Sequence, residues 1–115
     1  MTIPQTPIFV KTHDFILWLL KRTQRFPKNM RHSYTNRLET LAFDFEQALI
    51  TANTNRGRDR LAQLHVADTK LACLRLLVRY AYDLEMIAGN QLAFVSRQID
   101  EIGRLLGAWI KGSSR

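Results

Sequence analysis

The chain has little of what marks most enzymes and membrane-inserted proteins: one cysteine, three histidines, three prolines and five glycines among 115 residues. The single cysteine, Cys73, rules out an intrachain disulfide. Because it sits in an apolar run, the expectation is a buried thiol in a reducing compartment. The longest early apolar run, Phe15 to Leu20, is too short to span a bilayer. It follows Lys11 and Asp14 and has no small-residue cleavage site after it, so a cytoplasmic protein without a membrane partner is expected. No Glu-x-x-His pair of the di-iron bundle type occurs, and His13, His32 and His65 fall on three different predicted helices without zinc-site spacing. Gly57 and Gly89 are isolated and Gly103 and Gly107 lie inside a predicted helix, so no glycine-rich loop cradles phosphate. Nucleophilic catalysis would need an accessible polar nucleophile, whereas Cys73 lies on an apolar face. Neither an enzyme, a metal site nor a cofactor is expected.

Acidic residues are also scarce. Ten Asp and Glu face seventeen Lys and Arg, a net charge of +7, while 46% of residues are hydrophobic. Such a balance favours a polyanionic partner, nucleic acid ahead of an anionic membrane. The length fits one domain, residues 1–115, small enough that oligomerisation would add to its stability.

What is abundant is helical periodicity. Arg60 to Leu84 carries no proline or glycine and more apolar residues than one face needs. Leu64, Ala67, Leu71, Leu74, Val78 and Ala81 form one stripe; Val66, Cys73, Leu77, Tyr80 and Leu84 form a second beside it. Two stripes need two burial partners, the chain's own bundle and a neighbouring subunit. The polar strip left over holds Arg75 and Arg79, which either pair with Asp68 and Asp83 or contact a partner chain or phosphate.

Before this helix, Met1 to Thr6 reads as an extended arm with Thr6 as N-cap and Pro7 at the first helical position. The first helix carries Ile8, Phe15, Leu19 and Phe26 on one line and ends at Pro27. From about Asn29 a second helix carries Tyr34, Leu38, Leu41, Phe45, Ala48, Leu49 and Ala52, and a polar break follows from Asn53 to Gly57. Beyond the long helix, Gly89 fits a left-handed cap and Asn90 the next N-cap. The last helix, to about Lys111, buries Leu92, Val95, Ile99, Ile102, Leu106, Trp109 and Ile110. The tail from Gly112 to Arg115 is expected to fray. Gly103 and Gly107 each cost roughly 1 kcal/mol relative to alanine, so a closely packed neighbouring helix is expected there. The fold class is thus all-α, an antiparallel up-down-up-down four-helix bundle.

Cations gather in three places: Lys21, Arg22 and Arg25 at the end of the first helix; Arg56, Arg58 and Arg60 before the third; and Arg97, Arg104 and Lys111, a ridge repeating every seven residues on the last. The middle group opposes a helix macrodipole at roughly 0.3–1 kcal/mol per exposed charge, which either a docked anion would offset or a solvated loop would screen. These nine residues are the expected phosphate contacts.

The last two helices carry a resemblance. Ala67-Asp68, Leu71-Ala72, Leu74-Arg75 and Arg79, followed by IDEIGRLLGAWI from Ile99 to Ile110, resemble the accessory variability determinant (Avd) proteins of diversity-generating retroelements. Phe26-Pro27-Lys28 also fits, and Gly103 to Trp109, Gly-Arg-x-x-Gly-x-Trp, is the strongest segment. The resemblance implies a four-helix bundle that assembles into a basic, barrel-like homopentamer. It also implies binding of nucleic acid and association with the element's reverse transcriptase during mutagenic complementary-DNA synthesis, with no catalysis of its own. Arg75, Arg79, Leu77, Tyr80 and Trp109 are then the expected partner or subunit contacts. Small four-helix proteins encoded within ribosomal RNA intervening sequences are similar in fold and supply the alternative: a structural or interaction protein without a specific nucleic-acid role.

Overall fold

The structure is a computed structural model that describes residues 6–114. The extended arm expected over Met1 to Thr6 lies outside the described residues apart from Thr6, which is extended and caps the first helix, with Pro7 at its start. Four helices follow: α1, Pro7–Thr23; α2, Asn36–Thr54; α3, Gly57–Asp83; and α4, Gly89–Ser113. No strand forms among the described residues. Each helix packs against the next and α4 returns to α1, while the diagonal pairs hardly touch. Side-chain contacts fix the directions. Phe9 meets Trp109 and Trp18 meets Phe94, so α1 and α4 are antiparallel; Arg75 reaches Asp100 while Leu71 lies against Gly103, so α3 and α4 are too. The result is a four-helix bundle 44 Å long.

The core is one layer of interdigitated side chains. Phe15, Leu38, Phe45, Leu49, Leu64, Leu74, Val95, Ile99, Ile102 and Leu106 are fully buried, each contributing roughly 1.5–3 kcal/mol by leaving water. Ala42, Ala48 and Ala52 on α2, with Ala67 and Ala81 on α3, are buried small residues that let these two helices make the most extensive contact in the bundle.

Between α1 and α2 the backbone departs from a regular helix. A 3₁₀ turn, Lys28–Met30, and a π turn, Arg31–Thr35, lead into α2, so the α-helix proper starts seven residues after Asn29. The π turn widens the helix where Tyr34 turns inward, and its hydroxyl donates to the Leu77 carbonyl in mid-α3. Burial pushes the Tyr34 phenol up from 10.0 to about 12.

Two cap expectations are corrected. The left-handed residue after α3 is Glu85, at φ 62°, not Gly89. The helix ends there in a Schellman motif: the Met86 amide donates to the Ala81 carbonyl and the Glu85 amide to the Tyr82 carbonyl. Gly89 is instead the first residue of α4. Ala88, not Asn90, occupies its N-cap, and the Ala88 amide donates to the Gln91 side chain. Near the other end α4 continues to Ser113, so Gly112 and Ser113 are helical rather than frayed.

The glycine expectation also fails inside one chain. A Cβ on Gly103 would make ordinary contact with Leu71, and one on Gly107 would meet nothing within 4 Å. No close helix approach demands either residue. Gly57, by contrast, starts α3 at φ +60°, a conformation that glycine adopts without steric cost.

Candidate nucleic-acid interface

The nine basic residues singled out above divide between the two ends of the bundle. Antiparallel helices put the α1 C-terminus beside the start of α2 and the α3–α4 connection, and put the start of α3 at the opposite end, with the α1 N-terminus and the α4 C-terminus. Lys21, Arg22 and Arg25 therefore occupy one end, and Arg56, Arg58, Arg60 and Lys111 the other. Arg97 and Arg104 stand exposed along α4 between them.

Their electrostatic surroundings differ. Arg60 donates from Nε to the Ala52 carbonyl at 2.9 Å and from its terminal nitrogen to the Asn53 carbonyl at 3.3 Å, and its guanidinium lies 5.9 Å from the Trp109 ring. It caps the C-terminus of α2, whose negative dipole end compensates the charge that opposes α3. This supplies an internal reason for Arg60, so its position is no sign of a missing anion. Arg56 and Arg58 are exposed and make no ion pair among the described residues. Arg104 pairs with Glu101 at 2.6 Å; that bond holds the Glu101 carboxyl below, and the Arg104 guanidinium above, its ordinary range. Arg79 pairs with Asp83 at 3.0 Å, one of the two roles open to it, while Arg75 pairs with Asp100 across the α3–α4 interface and not with Asp68.

The cations at the C-terminal end of α1 are not offset by acids: Lys21, Arg22 and Arg25 make no ion pair among the described residues. With Gln24, Met86 and Gln91 they line a cleft of about 510 Å³. The sequence reading missed three neighbours: Lys28, Arg31 and Arg37 follow in the connection and at the start of α2, and among the described residues only Arg31 of these finds a carboxylate, Glu39 at 3.4 Å. The signal was present, because no Asp or Glu occurs between Asp14 and Glu39 while six cations do. Such charge segregation raises the local potential without any change of composition.

The remaining expected contacts lie elsewhere. Leu77 is half-buried, with its carbonyl taken by Tyr34, whereas Leu76, unnoticed in the sequence, is 58% exposed. Val66, Cys73, Leu76, Tyr80 and Leu84 form an uncovered row at spacings of seven, three, four and four residues along the outside of α3. The buried thiol is thus corrected: within the chain Cys73 is exposed, because α3 turns only its other stripe to the core. Trp109 is half-buried against Phe9, with ring centroids 6.2 Å apart.

His13, His32 and His65 are each exposed, and no three of His, Cys, Asp and Glu converge among the described residues. No helix among those residues is long and apolar enough to cross a membrane.

The family model described as bAvd-like matches residues 8–113, the whole of the bundle. The chain belongs to the bAvd-like family. No curated protein matches it. The bAvd-like assignment agrees with the resemblance carried by Ala67 to Arg79 and Gly103 to Trp109. It identifies the bundle as an Avd-type protein, and that family is of an accessory, non-catalytic type.

Proposed function

We propose that this chain is the accessory subunit of a diversity-generating retroelement, a protein that performs no chemistry and holds template RNA or its complementary DNA for the element's reverse transcriptase. The observation that carries the reading is the acid-free stretch from Lys21 to Arg37, whose cations project from one end of a bAvd-like bundle with a single carboxylate partner, Glu39, among the described residues. Phosphates neutralised there release counterions. Affinity should therefore fall steeply with salt and depend little on base sequence.

The assembly belongs to the same proposal. Single copies leave the row from Val66 to Leu84 in water, and a neighbouring copy, in the barrel-like homopentamer that the resemblance implies, would cover it. Arg75 and Arg79 border this row with their charge already balanced, which suits a protein contact with another copy or with the reverse transcriptase. A cytoplasmic setting fits a protein that works on nucleic acid and keeps one unpaired thiol.

Filter binding of RNA and single-stranded DNA across a salt series tests the nucleic-acid role; absent or salt-insensitive binding rejects it. Pull-down of the reverse transcriptase by the wild-type chain tests the partner. The exposed α3 row also favours a second reading, a purely oligomeric interaction protein of the ribosomal RNA intervening-sequence type. That reading gains if oligomers form and neither nucleic acid nor polymerase is retained.

A further inference from the structure

The basic end does not stop at its cations. The Arg22 guanidinium lies 4.7 Å from the centre of the Trp18 ring, and Trp18 stacks at a tilt of 39° on Phe94 of α4, with centroids 5.8 Å apart. Trp18 is half-buried, but Phe94, off the buried stripe of α4, is 41% exposed. On its far side Phe94 borders a second cleft, of about 320 Å³, shared with Lys11, Asp14, Arg97, Gln98 and Glu101. A line from Arg25 and Lys21 through Arg22, Trp18 and Phe94 to Arg97 therefore sets two stacked aromatic rings between cations along the α1–α4 groove. Neither Lys21, Arg22, Arg25 nor Arg97 has a carboxylate partner among the described residues. Of the two acids at the far cleft, Glu101 is held by Arg104. Asp14 remains and limits the positive surface to the Arg25–Arg97 line.

We infer that this groove, resting on the nucleic-acid reading above, is a binding site for unpaired nucleotides in which Phe94 stacks on a base while Lys21, Arg22 and Arg25 hold the phosphates. Base faces are accessible to an aromatic ring only when a strand is unpaired; in a duplex they are covered by their neighbours. Both clefts, of about 320 and 510 Å³, are the size of small-ligand sites, which suits a single splayed nucleotide better than a double helix. The cations alone would favour either form. The exposed ring is what discriminates.

The test is fluorescence anisotropy with labelled oligo(dT) and oligo(U) of about 16 nucleotides, set against a DNA duplex of the same length. Wild-type protein should bind the single strands several-fold more tightly than the duplex. Phe94→Leu keeps the apolar contact with Trp18 and removes the stacking face. It should weaken single-strand binding by about tenfold, leave duplex binding and the salt slope unchanged, and melt as the wild type does by circular dichroism. Phe94→Tyr should restore single-strand affinity, which a merely structural role for the ring does not predict in the absence of a change in melting. Equal binding of duplex and single strand by wild type, or a Phe94→Leu variant with undiminished single-strand affinity, overturns the inference and leaves the nucleic-acid reading standing. Failure of the wild type to bind any of the three probes removes that reading, and this inference with it.

Discussion

Along the outside of α3, apolar side chains stand in water while the arginines beside them are neutralised, Arg75 by Asp100 and Arg79 by Asp83. At the α1 end the reverse holds: Phe26 and Tyr34 are packed away beneath the surface, and Lys21, Arg22 and Arg25 have no carboxylate to answer them among the described residues. Both surfaces are left over once the four-helix core is closed. The difference is where each spends its charge. Balanced charges beside an apolar row lower the cost of bringing another protein surface against it, since no unpaired ion is desolvated. Unbalanced charges in an open cleft gain most from a ligand that arrives with its own negative charges and sheds counterions. On the proposed reading, one chain thus carries a face suited to protein and an end suited to phosphate.

If the two surfaces are independent in this way, each can be destroyed alone. Leu76→Asp puts a carboxylate in the middle of the α3 row without touching the core. It should reduce the oligomer seen by light scattering to monomer, the largest effect expected of any single change, while the helical circular-dichroism signal is kept. Replacing Lys21, Arg22 and Arg25 together by Gln should leave the oligomer intact and reduce the slope of log K against log salt by about 2, given roughly 0.7 per phosphate contact on a single strand. A triple variant that falls apart, or a Leu76→Asp variant that loses the salt slope but not the oligomer, would mean the two surfaces have been assigned the wrong way round.

Tyr34 joins the two regions, since it sits at the π turn of the basic end and donates to α3 at Leu77. The folded chain holds its phenolic proton more tightly than the unfolded chain does. Stability is therefore full below about pH 10 and falls as pH rises toward 12, by about 2–3 kcal/mol for the shift to about 12. Tyr34→Phe should abolish this alkaline loss at the cost of about 1 kcal/mol at neutral pH, read by urea melts at pH 7 and pH 11.

The smallest effects concern single backbone positions. Glu85 stands at φ 62° and Gly107 in open space on α4, so Glu85→Gly and Gly107→Ala should each stabilise the isolated bundle by about 1 kcal/mol, while Gly57→Ala should destabilise it by a similar amount. All three are read as shifts in urea midpoint. If Gly107→Ala raises the midpoint of the monomer yet weakens the oligomer, a neighbouring copy is the close approach that the chain itself does not supply.

The core was legible because helical periodicity is a property of the residues themselves. Every member of the α3 stripe from Leu64 to Ala81 is buried, as the spacing predicts. What periodicity could not locate were features settled by contacts between helices. Gly89, lacking a Cβ, has the conformational freedom for a left-handed cap, but that cap falls four residues sooner, at Glu85, where the Met86 and Glu85 amides close the Schellman bonds. Arg60 looked frustrated against α3 because nothing local reveals that the end of α2 folds back upon it. Arg75 has Asp68 in its own helix, yet the antiparallel register brings Asp100 closer. Phe94 and Leu76 escaped notice for the opposite reason: each lies off its helix's main stripe, and only the folded bundle reveals that nothing covers them.

The salt dependence of single-strand binding, compared between the wild-type chain and the Lys21→Gln, Arg22→Gln, Arg25→Gln variant, bears most directly on the claim that the α1 end is a phosphate grip. A steep wild-type slope that becomes shallower by about 2 in the variant is the predicted result. Parallel slopes for the two proteins would contradict it.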